Sequence, residues 1–290
     1  MLLTGCSVYE KQDMQKEGEN GNIASSGDAS SAEPTENMAE TEGTTEDMTL
    51  LRDYDGCPNK EYSWYIVRDD NHGISGCDKS FEIEQYDAYY VDTDADEADE
   101  KVMYLTFDCG YENGYTEQML DVLKEHNAKA CFFVTMTYIR DNPEIVKRMK
   151  EEGHQVGNHT VSHPAMPDKS IEEQKEELNE CADYMKEATG YDMDMYFRPP
   201  SGVYSERTLQ LAKDMGYKTI FWSMAYLDYD VNKQPGVDYV TEHFEKYYHN
   251  GAIPLLHNVS ESNANSLDSV LSYLADEGYR FASLDEMFEK

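Results

Sequence analysis

The stretch MYLTFDCGYENGY, Met103 to Tyr115, determines how the rest of the chain is interpreted. Its first part, Met103 to Phe107, is typical of a buried strand, and it ends on Asp108 and Cys109 before a glycine-containing turn. The simplest interpretation is a strand that leaves the sheet with a solvated Asp108 and a packed Cys109, because an unpaired cysteine is mostly a small buried hydrophobe. The alternative is that both side chains belong to a functional site at the end of a sheet.

From residue 101 onward, strand-like runs alternate with helical patterns whose apolar residues lie three and four apart. The predicted strands are VMYLTF (102–107), KACFFVT (129–135), HQVGNH (154–159), YKTIFWSMA (217–225), GAIPLLH (251–257) and YRFASL (279–284). The predicted helices cover about 115–126, 143–152, 170–188, 205–215, 238–249 and 264–277. This alternation predicts the α/β class with a parallel sheet, and about six or seven units favour a barrel.

Local signals support these boundaries. Three predicted helices end at a glycine suited to a left-handed cap just before the next strand, namely Gly153, Gly216 and Gly278. Ser170 with Glu173 fits a capping box that opens the longest helix.

The sequence before the barrel divides into three predicted parts. Residues 1–6 end in LTGC, which resembles a bacterial lipobox, so we expect a truncated lipoprotein signal, a lipid on Cys6 and an extracytoplasmic, membrane-anchored location. Residues 7–48 are acidic and lack apolar periodicity, which predicts a disordered linker. Residues 49–100 carry aromatic clusters and turn signals, and we expect them to form an N-terminal extension packed on the domain of residues 101–290.

Composition limits the classes of function. The chain has 24 basic and 59 acidic residues, a net charge of −35, which argues against a nucleic-acid-binding protein. No apolar run is long enough to cross a bilayer. Five cysteines remain after Cys6, so at least one is a thiol outside any disulfide. Cys57 and Cys77 flank a segment rich in tryptophan and tyrosine and are candidates for a disulfide.

Ionisable or ligating side chains follow five predicted strands, and in parallel barrels such positions share one rim and carry catalytic groups. They are Asp108 and Cys109, then Asn158, His159 and His163, then Arg198, then Asp228, and finally His257. His159 and His163 are four residues apart, a spacing that would let them hold one metal ion from a helical turn. Catalytic zinc sites use three protein ligands, so the third is expected from Asp108 or Cys109.

The ordered motifs TFDCG (106–110), HTVSHP (159–164), RPPSG (198–202), LDY (227–229) and LLH (255–257) resemble those of NodB-type polysaccharide deacetylases, carbohydrate esterase family 4, over about residues 100–288. Stretches such as RMKEEGHQVGNH and RPPSGVYSE look closer still to the muramic-δ-lactam-forming peptidoglycan deacetylases. The resemblance implies a distorted (β/α) barrel and a metal-dependent hydrolase that removes N-acetyl groups from amino sugars of peptidoglycan glycan strands.

We expect N-acetylmuramic acid as the favoured sugar, with N-acetylglucosamine as the other option, and a monomeric protein. Two alternatives stay open at this point: a catalytically decayed glycan-binding wall protein, and a deacetylase of another extracellular polysaccharide.

The resemblance also assigns roles. It implies that Asp108 is the general base, that Arg198 pairs with it, that His257 is the general acid and that Asp228 orients His257. It places a backbone N–H near Ser201 at the oxyanion and Tyr229 in the substrate pocket, where the family often has Trp.

One position departs from the family pattern. Most members have a second Asp where this chain has Cys109, and that Asp completes a metal site with the two histidines. A thiolate is a good zinc ligand, so we expect a zinc site of Cys109, His159 and His163. The alternatives are a two-histidine site completed by water, or a lost metal site.

Overall fold

The computed structural model describes residues 54–77 and 80–289. The predicted lipobox with Cys6 and the predicted linker of residues 7–48 lie outside the described residues, so both remain predictions. None of the helices within the described ranges is long and apolar enough to span a bilayer.

The described chain forms short strands and mostly longer helices in alternation. The strands are β1 Tyr62–Ser63, β2 Ile66–Val67, β3 Gly76–Cys77, β4 Ala88–Tyr89, β5 Val102–Met103, β6 Leu105–Cys109, β7 Ala130–Val134, β8 Gln155–Asn158, β9 Tyr196–Phe197, β10 Val203–Tyr204, β11 Lys218–Ile220, β12 Leu255–His257 and β13 Arg280–Phe281. The helices are α1 Thr93–Glu97, α2 Thr116–Glu125, α3 Met136–Asp141, α4 Pro143–Glu151, α5 Ile171–Thr189, α6 Glu206–Asp214, α7 Val237–Tyr247, α8 Glu261–Asp276 and α9 Leu284–Phe288.

Seven parallel strands form the central sheet, in the order β12-β6-β7-β8-β9-β11-β4. The sheet curls into a distorted, partly open (β/α) barrel, which confirms the predicted fold class. Isolated bridges join Val91, after β4, to Ala252 and Met224, after β11, to Pro254, so this end of the sheet approaches the segment that leads into β12 at the other edge.

The helix predictions hold to within a few residues because the local signals are strong. Ser170 and Glu173 form the expected capping box at the start of α5. Gly153, Gly216 and Gly278 all have positive φ (78°, 87° and 93°), as expected for left-handed caps. The helix α3 had no counterpart in the prediction. It is a short helix that begins at the cap residue Thr135, directly after β7.

The segment of residues 54–100 contributes to the barrel itself. Its strand β4 is the seventh strand of the sheet and pairs with β11, Ala88 opposite Thr219. The strand β1 pairs antiparallel with β10. Trp64 is almost completely buried, stacks on Phe221 at 4.4 Å between ring centroids, and donates its indole N–H to the carbonyl of Trp222.

The cysteines of the described ranges form no disulfide, so the Cys57–Cys77 bridge considered from the sequence is not formed.

Candidate active site

The ends of β6 and β12 bring two predicted catalytic groups side by side. The two strands are adjacent and parallel, and their register places His257 directly opposite Asp108. Side chains alternate along a strand, so Thr106 and Asp108 face the barrel interior while Phe107 and Cys109 face the helices. Asp108 is 4% exposed, which makes the state of its charge dependent on its neighbours.

Arg198 holds Asp108 in an ionised state. The Arg198 side chain is fully buried, and its Nη1 donates to Asp108 Oδ1 at 2.8 Å. Its other donors bind Thr106 Oγ1 and the carbonyls of Ile220 and Phe221, at 2.9, 2.9 and 3.1 Å. Burial by itself would raise the pKa of Asp108, but the positive charge of Arg198 outweighs burial and holds that pKa below its ordinary value.

A second pair, a buried carboxylate with a half-buried imidazole, lies next to the first. His257 Nδ1 and Asp228 Oδ1 are 2.7 Å apart, and the backbone N–H of His257 donates to Asp228 Oδ2 at 2.8 Å. Asp228 is 0% exposed. Because a carboxylate can only accept, His257 carries its proton on Nδ1, and Asp228 fixes both the orientation and the tautomer of the ring.

His159 and His163 also meet, but not on a helix as the spacing suggested. They lie in the loop after β8, where Thr160 and His163 have positive φ values of 72° and 57°. The peptide N–H of His163 donates to Thr160 Oγ1 at 3.0 Å and closes this turn. The two imidazole rings are 4.8 Å apart between centroids. A strained β-branched residue thus brings the two rings together.

The ring nitrogens of these two histidines and a neighbouring carboxylate oxygen form a group that suits a cation. His159 Nδ1 lies 2.8 Å from the carbonyl of Arg198, so it carries the proton and leaves the lone pair on Nε2. Burial lowers the pKa of His159, and burial with the neighbouring His159 lowers that of His163 to about 3, so both rings are neutral near pH 7. His159 Nε2 faces Asp108 Oδ2 at 3.5 Å, and this buried oxygen has no hydrogen-bond partner in the described structure.

The structure contradicts the prediction that Cys109 is a metal ligand. Cys109 is 0% exposed and belongs to the core cluster that includes Leu105 and Phe107, on the opposite face of β6 from Asp108. Its thiol points back to the Phe107 carbonyl at 3.9 Å, and burial raises its pKa well above the ordinary value, so it stays protonated. The described residues contain no group of three His, Cys, Asp or Glu side chains able to hold a metal together. Cys109 is therefore a packed thiol, as in the simplest interpretation of the sequence, but Asp108 is buried and not solvated as that interpretation had it.

The other two predicted site residues lie on the same rim. Ser201 follows Arg198 in a tight turn and has a φ of 55°. The next residue, Gly202, has a φ of 65°, and a Cβ there would lie 2.7 Å from the Trp222 ring, so the turn requires glycine. The ring of Tyr229 stands edge-on to that of His257, with 5.6 Å between centroids.

Three polar residues around the site, two buried and one half-buried, were not identified from the sequence. Thr106 accepts from Arg198 and donates to the Pro254 carbonyl at 2.5 Å. Glu112 accepts hydrogen bonds at the start of α2, and Asn263 donates to Asp228. Glu112 and Asn263 occur in the stretches GYENGYT and LLHNVSESNA, whose high polar content next to catalytic motifs was the available signal.

The sequence and the fold are similar to those of known proteins. The sequence profile described as polysaccharide deacetylase matches residues 95–220. The peptidoglycan-N-acetylmuramic acid deacetylase PdaA of Bacillus subtilis is 43% identical over 236 residues, which are 80% of this chain and 88% of that protein. The solved structure of B. subtilis PdaA, a family 4 carbohydrate esterase, covers 80% of this chain and 98% of its own, with a TM-score of 0.76 and 42% identity.

A more distant solved structure is similar in fold but differs in activity. It is a pseudoenzyme of the same esterase family from Bacillus anthracis, 28% identical, with a TM-score of 0.61 and coverage of 65% of this chain and 66% of its own.

Proposed function

Because this chain belongs to the polysaccharide deacetylases of carbohydrate esterase family 4, we propose that it hydrolyses N-acetyl groups of peptidoglycan glycan strands, with N-acetylmuramic acid as the favoured sugar. The observation that carries the proposal is that β6 and β12 set Asp108 and His257 opposite each other, each held by its own charged partner. Asp108 is paired with Arg198 and Asp228 with His257, at 2.8 and 2.7 Å. One pair is suited to accept a proton and the other to deliver one.

The reaction uses these two pairs in turn. Asp108 takes a proton from a water molecule as the water oxygen attacks the acetyl carbonyl carbon. The backbone N–H at Ser201 donates to the oxygen that becomes negative. The C–N bond then breaks as His257 gives its proton to the departing amine, while Asp228 stabilises the imidazolium before that transfer. The products are acetate and a free amino sugar.

His159 and His163 are the residues that would hold a divalent cation, with zinc the first candidate because imidazole suits it. A cation bound there would supply Lewis-acid polarisation of the acetyl group and a lower pKa for water in the site. The fit rests on two neutral rings and the unpartnered Oδ2 of Asp108, and it corresponds to a two-histidine site completed by water. Cys109 plays no part in it.

Acetate release from defined glycan fragments tests the proposal. We expect purified protein to remove acetyl groups from fragments in which only the muramic residues are N-acetylated, and more slowly from fragments in which only the glucosamine residues are. Asp108→Asn should abolish release, because the amide cannot take the proton. If mass analysis finds no acetyl loss from any amino-sugar polymer, the proposal is wrong.

A catalytically inactive glycan-binding protein is the second candidate. The packed Cys109 and the pseudoenzyme among the structural relatives favour it. Against it, a binding protein needs neither the buried Arg198–Asp108 pair nor the Asp228–His257 pair, and burying such charges is costly. Metal analysis separates the two candidates: less than about half an equivalent of tightly bound divalent metal, together with no acetate release, would support the inactive protein.

We also propose that the protein works outside the cytoplasmic membrane, anchored by a lipid on Cys6. The lipobox-like LTGC sequence supports this, since it directly precedes a tether-like segment. Mass analysis of the detergent-extracted protein, with Cys6→Ser as control, tests for the lipid.

A further inference from the structure

A buried asparagine contacts the same carboxylate that orients His257. Asn263 lies in the first turn of α8 and is 2% exposed. Its Nδ2 is 2.6 Å from Asp228 Oδ2 and 3.4 Å from the carbonyl of His257. It therefore contacts both members of the Asp228–His257 pair while remaining out of reach of substrate.

The orientation of the Asn263 amide is fixed from its other side. Its Oδ1 lies 2.8 Å from the hydroxyl of Tyr226, which is itself 4% exposed. Asp228 can only accept, so the NH₂ group of Asn263 must face it, and the amide oxygen must then face Tyr226. The Tyr226 hydroxyl is thus the donor to Oδ1. Three buried groups form one directed chain from Tyr226 through Asn263 to Asp228.

The hydrogen bond that supports Asp228 from Asn263 is uncharged, whereas the one that supports Asp108 comes from a cation. A buried carboxylate needs hydrogen-bond donors in place of the water that burial removes. For Asp108 those come from the cation Arg198, whereas Asp228 receives two of its three hydrogen bonds from His257 and the third from a neutral amide. A cation beside Asp228 would cancel its field at His257 and weaken the hold of the imidazole on its proton. A neutral donor fixes the carboxylate and leaves that field intact.

We propose that Asn263 is a positioning residue for the general acid: it holds the Asp228 carboxylate aimed at His257 Nδ1. This inference rests on the proposed function for its kinetic consequence but not for its geometry. Tyr226 takes part by fixing the amide.

Steady-state kinetics on an N-acetylated peptidoglycan oligosaccharide test the inference. For Asn263→Ala and Asn263→Asp we expect kcat to fall by about tenfold to a hundredfold, as for other residues that orient a catalytic group. KM should change by less than about twofold, since the side chain does not reach substrate. Tyr226→Phe, which keeps the ring, should lower kcat by a smaller factor. Asn265→Ala is the matched control, an exposed position on the same helix, and should behave as wild type.

A proton NMR measurement separates this inference from the proposed function. The Nδ1–H of His257, bound to Asp228, should give a strongly downfield resonance that is assigned by its loss in His257→Gln. Asn263→Asp should shift or remove it, while Asn265→Ala should leave it unchanged. If wild type releases no acetate but the resonance responds in this way, the proposed function fails and the positioning role stands.

The opposite results overturn the positioning role. They are folded Asn263 variants with wild-type kcat, or a raised KM with unchanged kcat, or a His257 resonance indifferent to Asn263→Asp. The native fluorescence of Trp64 and Trp222 shows whether each variant is folded.

Discussion

Replacing Arg198 with Met should destabilise the protein by about 3–5 kcal/mol, the cost of removing one partner from a buried ion pair. Arg198 is fully buried and makes hydrogen bonds to Asp108, Thr106 and two backbone carbonyls. Methionine fills a similar volume but donates nothing. The variant therefore keeps a buried carboxylate without its cation, which is the main part of the cost.

The pH dependence of this loss follows from the two states of Asp108. In wild type the pKa of Asp108 lies below its ordinary value, so its contribution to stability is present above that ordinary value and is lost only as pH falls through the lowered pKa. In Arg198→Met the cation that outweighs burial is gone, and burial then raises the pKa of Asp108. The difference in stability between wild type and Arg198→Met should therefore grow as pH rises through the raised pKa of Asp108.

Urea unfolding followed by tryptophan fluorescence measures the effect. The chain has 2 tryptophans, Trp64 and Trp222, and the Trp222 ring lies 5.8 Å from the Arg198 guanidinium, so the signal reports on this region. A lower midpoint with an unchanged slope would show a loss of stability in a two-state transition.

The double variant Arg198→Met with Asp108→Asn is the internal control. The amide removes the unpaired charge, so the double variant should be more stable than Arg198→Met alone, with a coupling of about 0.5–3 kcal/mol. Two results would refute the reasoning: a change below about 1 kcal/mol in Arg198→Met, or a double variant no more stable than the single one.

Three other substitutions test separate parts of the structure. His154 is buried, neither of its ring nitrogens has a hydrogen-bond partner in the described structure, and burial lowers its pKa to about 4. The free energy of unfolding of wild type should therefore fall by roughly 3 kcal/mol as pH drops from the ordinary pKa near 6.5 to pH 4. Urea titrations of His154→Phe should not show this fall. Glu112 accepts hydrogen bonds from three backbone N–H groups and three side chains. In thermal unfolding, Glu112→Gln should lower the stability by about 1–3 kcal/mol. The control Glu117→Gln, at an exposed position, should leave the stability almost unchanged. Cys109→Ala should keep wild-type metal affinity in a calorimetric titration, because the thiol lies in the core; a large loss of affinity would restore the thiolate ligand.

The features predicted correctly from the sequence are those that depend on residues close together along the chain. Helix α5 was placed by its capping box, and its start differs from the prediction by one residue. The rim residues were found because each follows an apolar run, and parallel strands gather their carboxyl ends. Their grouping at one rim followed from the alternation of strands and helices, and their roles came from the resemblance to the family.

The errors arose where local patterns leave a choice open. The sequence does not show at which residue β6 ends, and because the strand includes Cys109, alternation turns that thiol away from Asp108. The spacing of His159 and His163 fits a helical turn and a tight loop equally well, and the positive φ of Thr160 decides for the loop. The strand β4 has only two residues, so its assignment depends on its distant partner β11.

That distant partner has a consequence for how the protein folds. During synthesis the strand β4 leaves the ribosome long before β11, so the pairing of these two strands can form only after most of the chain has been made. Until then the aromatic residues near β4 cannot be buried in the core. Pairing between strands so far apart in sequence also slows folding. A fragment that begins at residue 101 would leave β11 as a bare edge, open to pairing with other chains. The described part of the segment before residue 101, with β4, therefore protects this enzyme against aggregation as well as completing its barrel.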